Sequence, residues 1–176
     1  TASRELLEGG VDVFIRFNQG LSILKKVVSV ETGQTQSLML PNNQRFDRLV
    51  SSRKPFGLET TFKGKPEKKA ADDLLIYQNG GRGYVARDTI TTGKQYVDKW
   101  KIFTGRAAPG TGNRDTYPHR IISTPFLGEP DSISSETYLC IGPFDTKSEA
   151  ESALSYLSCR LTRLLILLHK PSQDTT

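Results

Sequence analysis

The stretch LLIYQNGGRGYVA (residues 74–86) carries the strongest local fold signal in the chain. Residues 74–77 and 84–86 are short apolar runs of residue types that favour strands. Between them, residues 79–81 (Asn-Gly-Gly) adopt positive φ angles easily, as tight hairpin turns require. The stretch therefore predicts an antiparallel β-hairpin. Its glycines are interpreted as turn residues and not as a nucleotide-binding loop, because they open no helix.

Segments on both sides of the hairpin predict a mixture of helices and strands. Asn18 is a good N-cap, and apolar residues follow it at helical spacing, so a helix is predicted to begin there. Residues 44–52 predict a short helix, residues 96–103 a passage from helix to strand, and residues 120–123 and 136–141 two further strands. Residues 105–116 are rich in glycine and have almost no apolar anchor, which predicts a long loop.

The C-terminal part has the most regular helical pattern. Thr146 and Glu149 have the spacing of a capping box, and apolar residues recur every three or four positions from 150 to 168. Pro171 ends this helix, whose apolar residues 164–168 need cover from elsewhere. Helices flank a β-rich middle without βαβ alternation, which predicts an α+β fold. We expect a single domain over residues 1–176, in which an N-terminal helix and a long C-terminal helix pack on a small mixed or antiparallel sheet with hairpins.

Length and composition exclude several protein classes. The 176 residues include 24 Lys and Arg and 19 Asp and Glu, a formal charge of +5, and 36% are hydrophobic, enough for a folded core. No apolar run approaches the roughly 18 residues of a membrane helix, and the first ten residues do not read as a signal peptide. We therefore expect a cytoplasmic protein that has no membrane partner. Cys140 and Cys159 fit neither a disulfide framework nor a zinc site, so two buried free thiols and no metal are expected.

Basic residues are concentrated in the middle of the chain. Residues 44–120 contain 16 Lys and Arg and eight Asp and Glu, a formal charge of +8. The remainder contains eight basic and 11 acidic residues, a charge of −3. A clustered positive field attracts polyanions such as nucleic acids. A solvated, lysine-rich surface is the alternative, and charge alone leaves both interpretations open.

Motifs for nucleotide or hydrolase chemistry are missing from the sequence. It contains neither GxxxxGK[ST] nor GxSxG. Asp72 and Asp73 are the acids to consider for a metal-dependent nuclease. No acid-x-Lys pattern follows them, and their place before a predicted strand favours turn residues instead.

Six segments together resemble one protein family. They are SSRKPFGL (51–58), PHRII (118–122), PFLGEP (125–130), SETYLCIGPF (135–144), CRLTR (159–163) and KPSQDT (170–175). In this order they resemble the C-terminal part of adenine-specific DNA methyltransferases of bacterial restriction–modification systems. The resemblance covers about residues 11–176.

The resemblance implies recognition of DNA without chemistry. In that family an N-terminal domain binds S-adenosylmethionine, and an Asn-Pro-Pro-aromatic motif positions the flipped adenine. This chain has no Pro-Pro dipeptide and no Phe-x-Gly-x-Gly motif. The resemblance therefore implies a target-recognition fragment with no cofactor of its own. Its implied partners are double-stranded DNA and the catalytic domain of a parent methyltransferase, where S-adenosylmethionine is expected.

Basic side chains on predicted turns and loops are the candidate DNA contacts. Arg53 and Lys54 follow a helix that Pro55 stops, and helix capping is their alternative role. Lysines would meet phosphates or stay solvated, whereas arginines and an asparagine could also read base edges. The complete candidate set is Arg53, Lys54, Lys63, Lys65, Lys68, Lys69, Arg82, Arg106, Asn113, Arg114 and His119. Two other functions stay open: a metal-dependent DNA nuclease, and a protein-interaction module that uses the apolar C-terminal helix.

Overall fold

The computed structural model describes residues 18–20, 22–23, 45–107 and 121–169, and its elements confirm the predicted α+β class. Its strands are β1 (Leu74–Gln78), β2 (Gly81–Val85), β3 (Trp100–Gly105), β4 (Phe126–Gly128), β5 (Ser132–Ser134) and β6 (Tyr138–Phe144). Its α-helices are α1 (Lys94–Val97), α2 (Lys147–Ser158) and α3 (Arg160–His169), and short 3-10 helices span Phe46–Leu49 and Arg87–Thr89. The strands form two three-stranded sheets.

The first sheet contains the hairpin where the sequence predicts it. β1 and β2 pair antiparallel, with Leu74 opposite Val85 and Gln78 opposite Gly81. Gly80 and Gly81 have φ angles of 86° and 140°, which L side chains rarely adopt, so the turn depends on glycine. β5 pairs parallel with the other edge of β1, which gives the strand order β2-β1-β5.

The second sheet has the order β4-β3-β6, with antiparallel pairing throughout. It packs on the first sheet through a hydrophobic core that includes Ile76, Ile133 and Phe103, all fully buried. Phe56 joins this core, and its ring lies edge-on to that of Phe103, with 6.4 Å between centroids. Burial of these apolar side chains is the main term that stabilises the fold, and it fixes residues 53–57 against the sheets.

The C-terminal helical pattern forms two helices instead of one. α2 begins with the predicted capping box, in which the hydroxyl of Thr146 accepts a hydrogen bond from the backbone N–H of Glu149 (3.2 Å). Cys159 then has an extended backbone (φ −71°, ψ 152°), which ends α2. Its sulfur accepts a hydrogen bond from the N–H of Thr162 (3.4 Å), the geometry of an N-cap for α3. The side chain of Cys159 therefore caps a new helix at a position through which the apolar periodicity, which predicted a single helix, continues.

Other local predictions need correction. Residues 121 and 122 form bends and residue 123 has no regular structure, so the strand predicted at 120–123 is not formed by its described residues. There the hydroxyl of Thr104 donates to the carbonyl of Ser123 (3.1 Å), and the hydroxyl of Ser123 donates to the carbonyl of Ala107 (3.1 Å), so side-chain hydrogen bonds replace a strand ladder. Cys140 is buried as predicted, but Cys159 is exposed.

The predicted helix at 44–52 is the single turn Phe46–Leu49. Residues 18–20 and 22–23 of the predicted N-terminal helix are helical, and the rest of it lies outside the described residues.

Candidate functional site

Several of the basic side chains are neutralised by carboxylates. Arg87 donates to Asp98 (2.7 Å) and also pairs with Asp131, and Lys99 pairs with Asp145 (2.7 Å). Lys54, a candidate DNA contact, pairs with the exposed carboxylate of Glu59. These pairs cancel part of the positive field that the sequence predicts.

Arg53 has a structural partner of its own. Its guanidinium binds Glu136, whose side chain is only 4% exposed, whereas that of Arg53 is 65% exposed. The hydrogen bond from Arg53 holds the pKa of Glu136 below its usual value. The backbone N–H of Glu136 also donates to the carbonyl of Leu58 (2.8 Å). Arg53 thus compensates a buried charge, a role that neither prediction included, and its contact with DNA stays a prediction.

Lys101 contributes nothing to the surface field, although its charge is part of the +8 total. Its side chain is fully buried, and its ammonium donates to the carbonyls of Tyr96 (2.7 Å) and Val97 (2.9 Å) at the end of α1. Burial lowers the pKa of Lys101 to about 8, and burial raises that of the neighbouring thiol Cys140 to about 12. The apolar run around position 101 is the sequence signal that could have identified this lysine as buried.

A second group of cations surrounds the hairpin, and we call it the hairpin cluster. It consists of Lys63, Lys65, Lys68, Lys69 and Arg82, all exposed. None of the five forms an ion pair within the described residues. The structure therefore places five of the predicted contacts along the hairpin and distinguishes them from Arg53 and Lys54, which pair with carboxylates.

The backbone of the lysine segment is fixed to the hairpin. The N–H and carbonyl of Lys65 each bond to Tyr84 of β2 at 2.8 Å, and the N–H of Gly64 donates to the side chain of Gln78 (2.7 Å). The ammonium of Lys63 reaches the carbonyl of Asn79 in the turn. The first half of the cluster is thus anchored before any ligand binds.

The second half of the lysine segment is shaped by Asp73. Its buried carboxylate accepts hydrogen bonds from the N–H groups of Lys69 (2.9 Å) and Ala70 (3.0 Å). The bonds from Ala70 and Lys69 lower the pKa of Asp73. Asp73 is therefore a turn residue. No group of three or more His, Cys, Asp or Glu that could hold a metal ion occurs in the described part of the chain.

Arg82 lies on the face of the sheet. Its guanidinium sits 5.0 Å from the ring centroid of Tyr77, its partner across the hairpin. Tyr77 is the first of a row of three aromatic rings. Its ring centroid lies 4.9 Å from that of Phe126, and the centroid of Phe126 lies 5.6 Å from that of Tyr138. Sequence reasoning missed this row, because its members come from three strands of two sheets, and only the packing of the sheets on each other brings them together.

The ring row leads into an open cleft next to the hairpin, which we call the hairpin cleft. It has a volume of about 530 Å³. Its walls are formed by Thr60, Asn79, Gly105, Arg106, Ala107, Ser123, Thr124, Phe126, Thr137 and Tyr138. Arg106 is held by the bond from its N–H to the carbonyl of Thr137 (3.0 Å). The candidates Asn113, Arg114 and His119 lie outside the described residues.

An apolar cleft of about 290 Å³ lies on the helical side, and we call it the helix cleft. Its lining includes Phe46, Val50, Ile122, Leu139, Ile141, Leu157, Leu165 and Ile166. Tyr156, Leu161 and Leu167 of the adjoining helices are 48%, 41% and 39% exposed. α3 thus has apolar side chains in solvent, as residues 164–168 suggest. No helix in the described part of the chain is long and apolar enough to cross a membrane.

Comparisons with protein families, with curated proteins and with solved structures find no match for this chain. The resemblance to DNA methyltransferases therefore stays a prediction from the residues.

Proposed function

We propose that the hairpin cluster binds double-stranded DNA. We further propose that the chain is the target-recognition part of an adenine-specific DNA methyltransferase from a restriction–modification system. The first proposal rests on one observation: some cations pair with carboxylates, and those around the hairpin do not, within the part of the chain that the structure describes. Five of them lie on the hairpin or on the segment anchored beside it, without an ion pair among the described residues, while Arg53, Lys54, Arg87 and Lys99 are paired. Unpaired cations release counterions when they meet phosphates, which favours binding.

The shape of the hairpin fits the proposed role. A two-stranded β-ribbon can enter the major groove, where base edges are distinguishable. In this position Lys65, Lys68 and Lys69 would contact phosphates on the flanks of the groove. Arg82 would reach a guanine edge, since a guanidinium can donate twice to O6 and N7. The fixed backbone of Lys65 limits the entropy that is lost on binding.

The proposed role assigns the chemistry to another part of the parent protein. S-adenosylmethionine and the adenine pocket would belong to the parent's catalytic domain, as the resemblance implies. The helix cleft and the exposed Tyr156, Leu161 and Leu167 favour a protein contact, and that catalytic domain is the partner we propose for them. A metal-dependent nuclease stays the alternative, although the carboxylate of Asp73 already accepts hydrogen bonds from the backbone N–H groups of Lys69 and Ala70.

The proposal is tested by fluorescence anisotropy with a pool of random duplexes over a salt series. The double variant K65A/K68A should weaken binding and lower the slope of log K against log salt by about 2, since each phosphate contact contributes roughly 0.9. K54A/K99A is the matched control, because it removes the same charge from cations that are already paired. Equal effects of the two double variants, or no binding at low salt, would contradict the proposal. Sequencing the bound duplexes would then give the recognised site.

A further inference from the structure

The hairpin and the hairpin cleft differ in the kind of DNA they could contact. A hairpin is convex and can reach base edges inside a groove. A cleft is concave, so a base that is stacked in a duplex cannot enter it. The volume of about 530 Å³ lies within the range of ~300–1,000 Å³ that small-molecule sites occupy. The cleft therefore fits a separate planar group more readily than the surface of a duplex.

One wall of the hairpin cleft is aromatic. Phe126 and Tyr138 both line it, with their rings perpendicular at 88°. The ring of Tyr77, which is not part of the lining, packs against that of Phe126 with 4.9 Å between centroids and so supports this wall. Aromatic side chains bind nucleobases by stacking, whatever the base, because every base has a π-face.

Other parts of the lining offer polar groups. Asn79, Thr60 and Thr124 are among the lining residues, and their side chains make no hydrogen bond within the described residues. An amide and two hydroxyls provide both donors and acceptors, which suits the edge of a nucleobase. Arg106 adds a cationic side chain to the same lining.

Two cations of the hairpin cluster contact residues of the cleft lining or residues next to it. The ammonium of Lys63 is bonded to the carbonyl of Asn79, a residue of the cleft lining. Arg82 lies over Tyr77, one ring away from Phe126. A nucleotide whose base occupies the cleft would thus have its phosphates close to positive charge.

We propose that the hairpin cleft holds one nucleobase that has left the DNA stack. This inference rests on the proposed function, since the hairpin cluster must first hold the duplex. The cleft is made only of residues of this chain, so it is distinct from the adenine pocket that the resemblance places in the parent's catalytic domain.

Duplexes with one mismatched pair test the inference, because a mismatched base costs less to extrude than a paired one. The 176-residue chain should bind a duplex with a single mismatch about tenfold more tightly than the same duplex fully paired. The double variant T60L/T124L fills the cleft with leucine side chains and removes two hydroxyls. In this variant the ratio of the affinity for the mismatched duplex to that for the paired duplex should fall from about ten to about one. T89L/T92L is the control, since these threonines are exposed and do not line the cleft.

The outcomes separate the two proposals. Binding of duplexes with no preference for the mismatch, or a preference that T60L/T124L leaves unchanged, overturns the inference and leaves the proposed function standing. No binding of any duplex overturns both. An NMR titration with the four deoxynucleoside 5′-monophosphates adds a direct readout, with shifts expected at Asn79, Phe126 and Tyr138. Shifts spread over other surfaces, or none at these residues, would also overturn the inference.

Discussion

Arg53 forms an ion pair with Glu136, a buried carboxylate 83 residues further along the chain. The pair joins the 53–57 turn to the segment between β5 and β6, so it connects parts of the chain that are far apart in sequence. We expect the ion pair to affect mainly the free energy of unfolding, because the loss of one partner leaves the charge of the other without compensation.

Arg53→Ala should therefore lower the midpoint of thermal unfolding by several degrees and change DNA affinity little. Lys54→Ala, which breaks an exposed pair with Glu59, should lower the midpoint much less. Circular dichroism melts and anisotropy titrations of both variants test this prediction. A large loss of affinity in Arg53→Ala with an unchanged midpoint would instead place Arg53 at the DNA.

Stability should depend on pH through two buried groups. Lys101 titrates at about 8 in the folded chain and near its ordinary 10.5 when unfolded, so the unfolded chain binds more protons between these values. Stability should rise with pH in this window, by up to a few kcal/mol. Cys140 has the opposite effect on stability. Its pKa of about 12 in the folded chain exceeds the ordinary 9.0, so the folded chain binds more protons between these pH values, and stability should fall there as pH rises.

Urea unfolding at several pH values separates the two contributions. Lys101→Met should remove the rise that begins near pH 8, because the variant has no group to deprotonate there. Cys140→Ala should remove the fall that begins near pH 9. Curves of the same shape in both variants and the unchanged protein would show that neither group has the assigned pKa.

The caps of the two C-terminal helices give a third prediction. Thr146→Ala should destabilise the chain by about 1 kcal/mol, since it removes an N-cap acceptor. Cys159→Asp should stabilise it, because a carboxylate accepts the N–H of Thr162 better than sulfur does. Chemical unfolding followed by circular dichroism measures both changes. Destabilisation by Cys159→Asp would indicate that the sulfur has packing contacts that oxygen cannot replace.

Arg82 should control base choice more than total affinity. Arg82→Lys keeps the charge but loses the planar pair of donors, so the salt slope should stay the same while discrimination falls by roughly 1–3 kcal/mol at one position. Arg82→Ala should lower both the salt slope and the discrimination between bases. Selection of bound duplexes followed by sequencing reads the base preference. An unchanged preference in both variants would limit Arg82 to phosphate contact.

Local signals predicted the hairpin, the α2 cap and the passage from α1 to β3, because each depends on a few neighbouring residues. Long-range partners were not predictable in this way. The pair of Arg53 with Glu136 depends on tertiary packing, and so does the burial of Lys101. The break at Cys159 also escaped prediction, since the apolar spacing on both sides continues through it. For the candidate site, the basic residues came from the sequence, whereas their division into paired and unpaired cations required the fold.

The two backbone hydrogen bonds between Lys65 and Tyr84 have a consequence for aggregation. β2 is an edge strand, and its outward N–H and carbonyl at Tyr84 are already used by Lys65. Lysines beside such an edge also repel a second copy that approaches to add a strand. The cations that we propose for DNA therefore protect the protein against edge-to-edge aggregation. Apolar β-branched replacements of these lysines would expose the sheet to self-association.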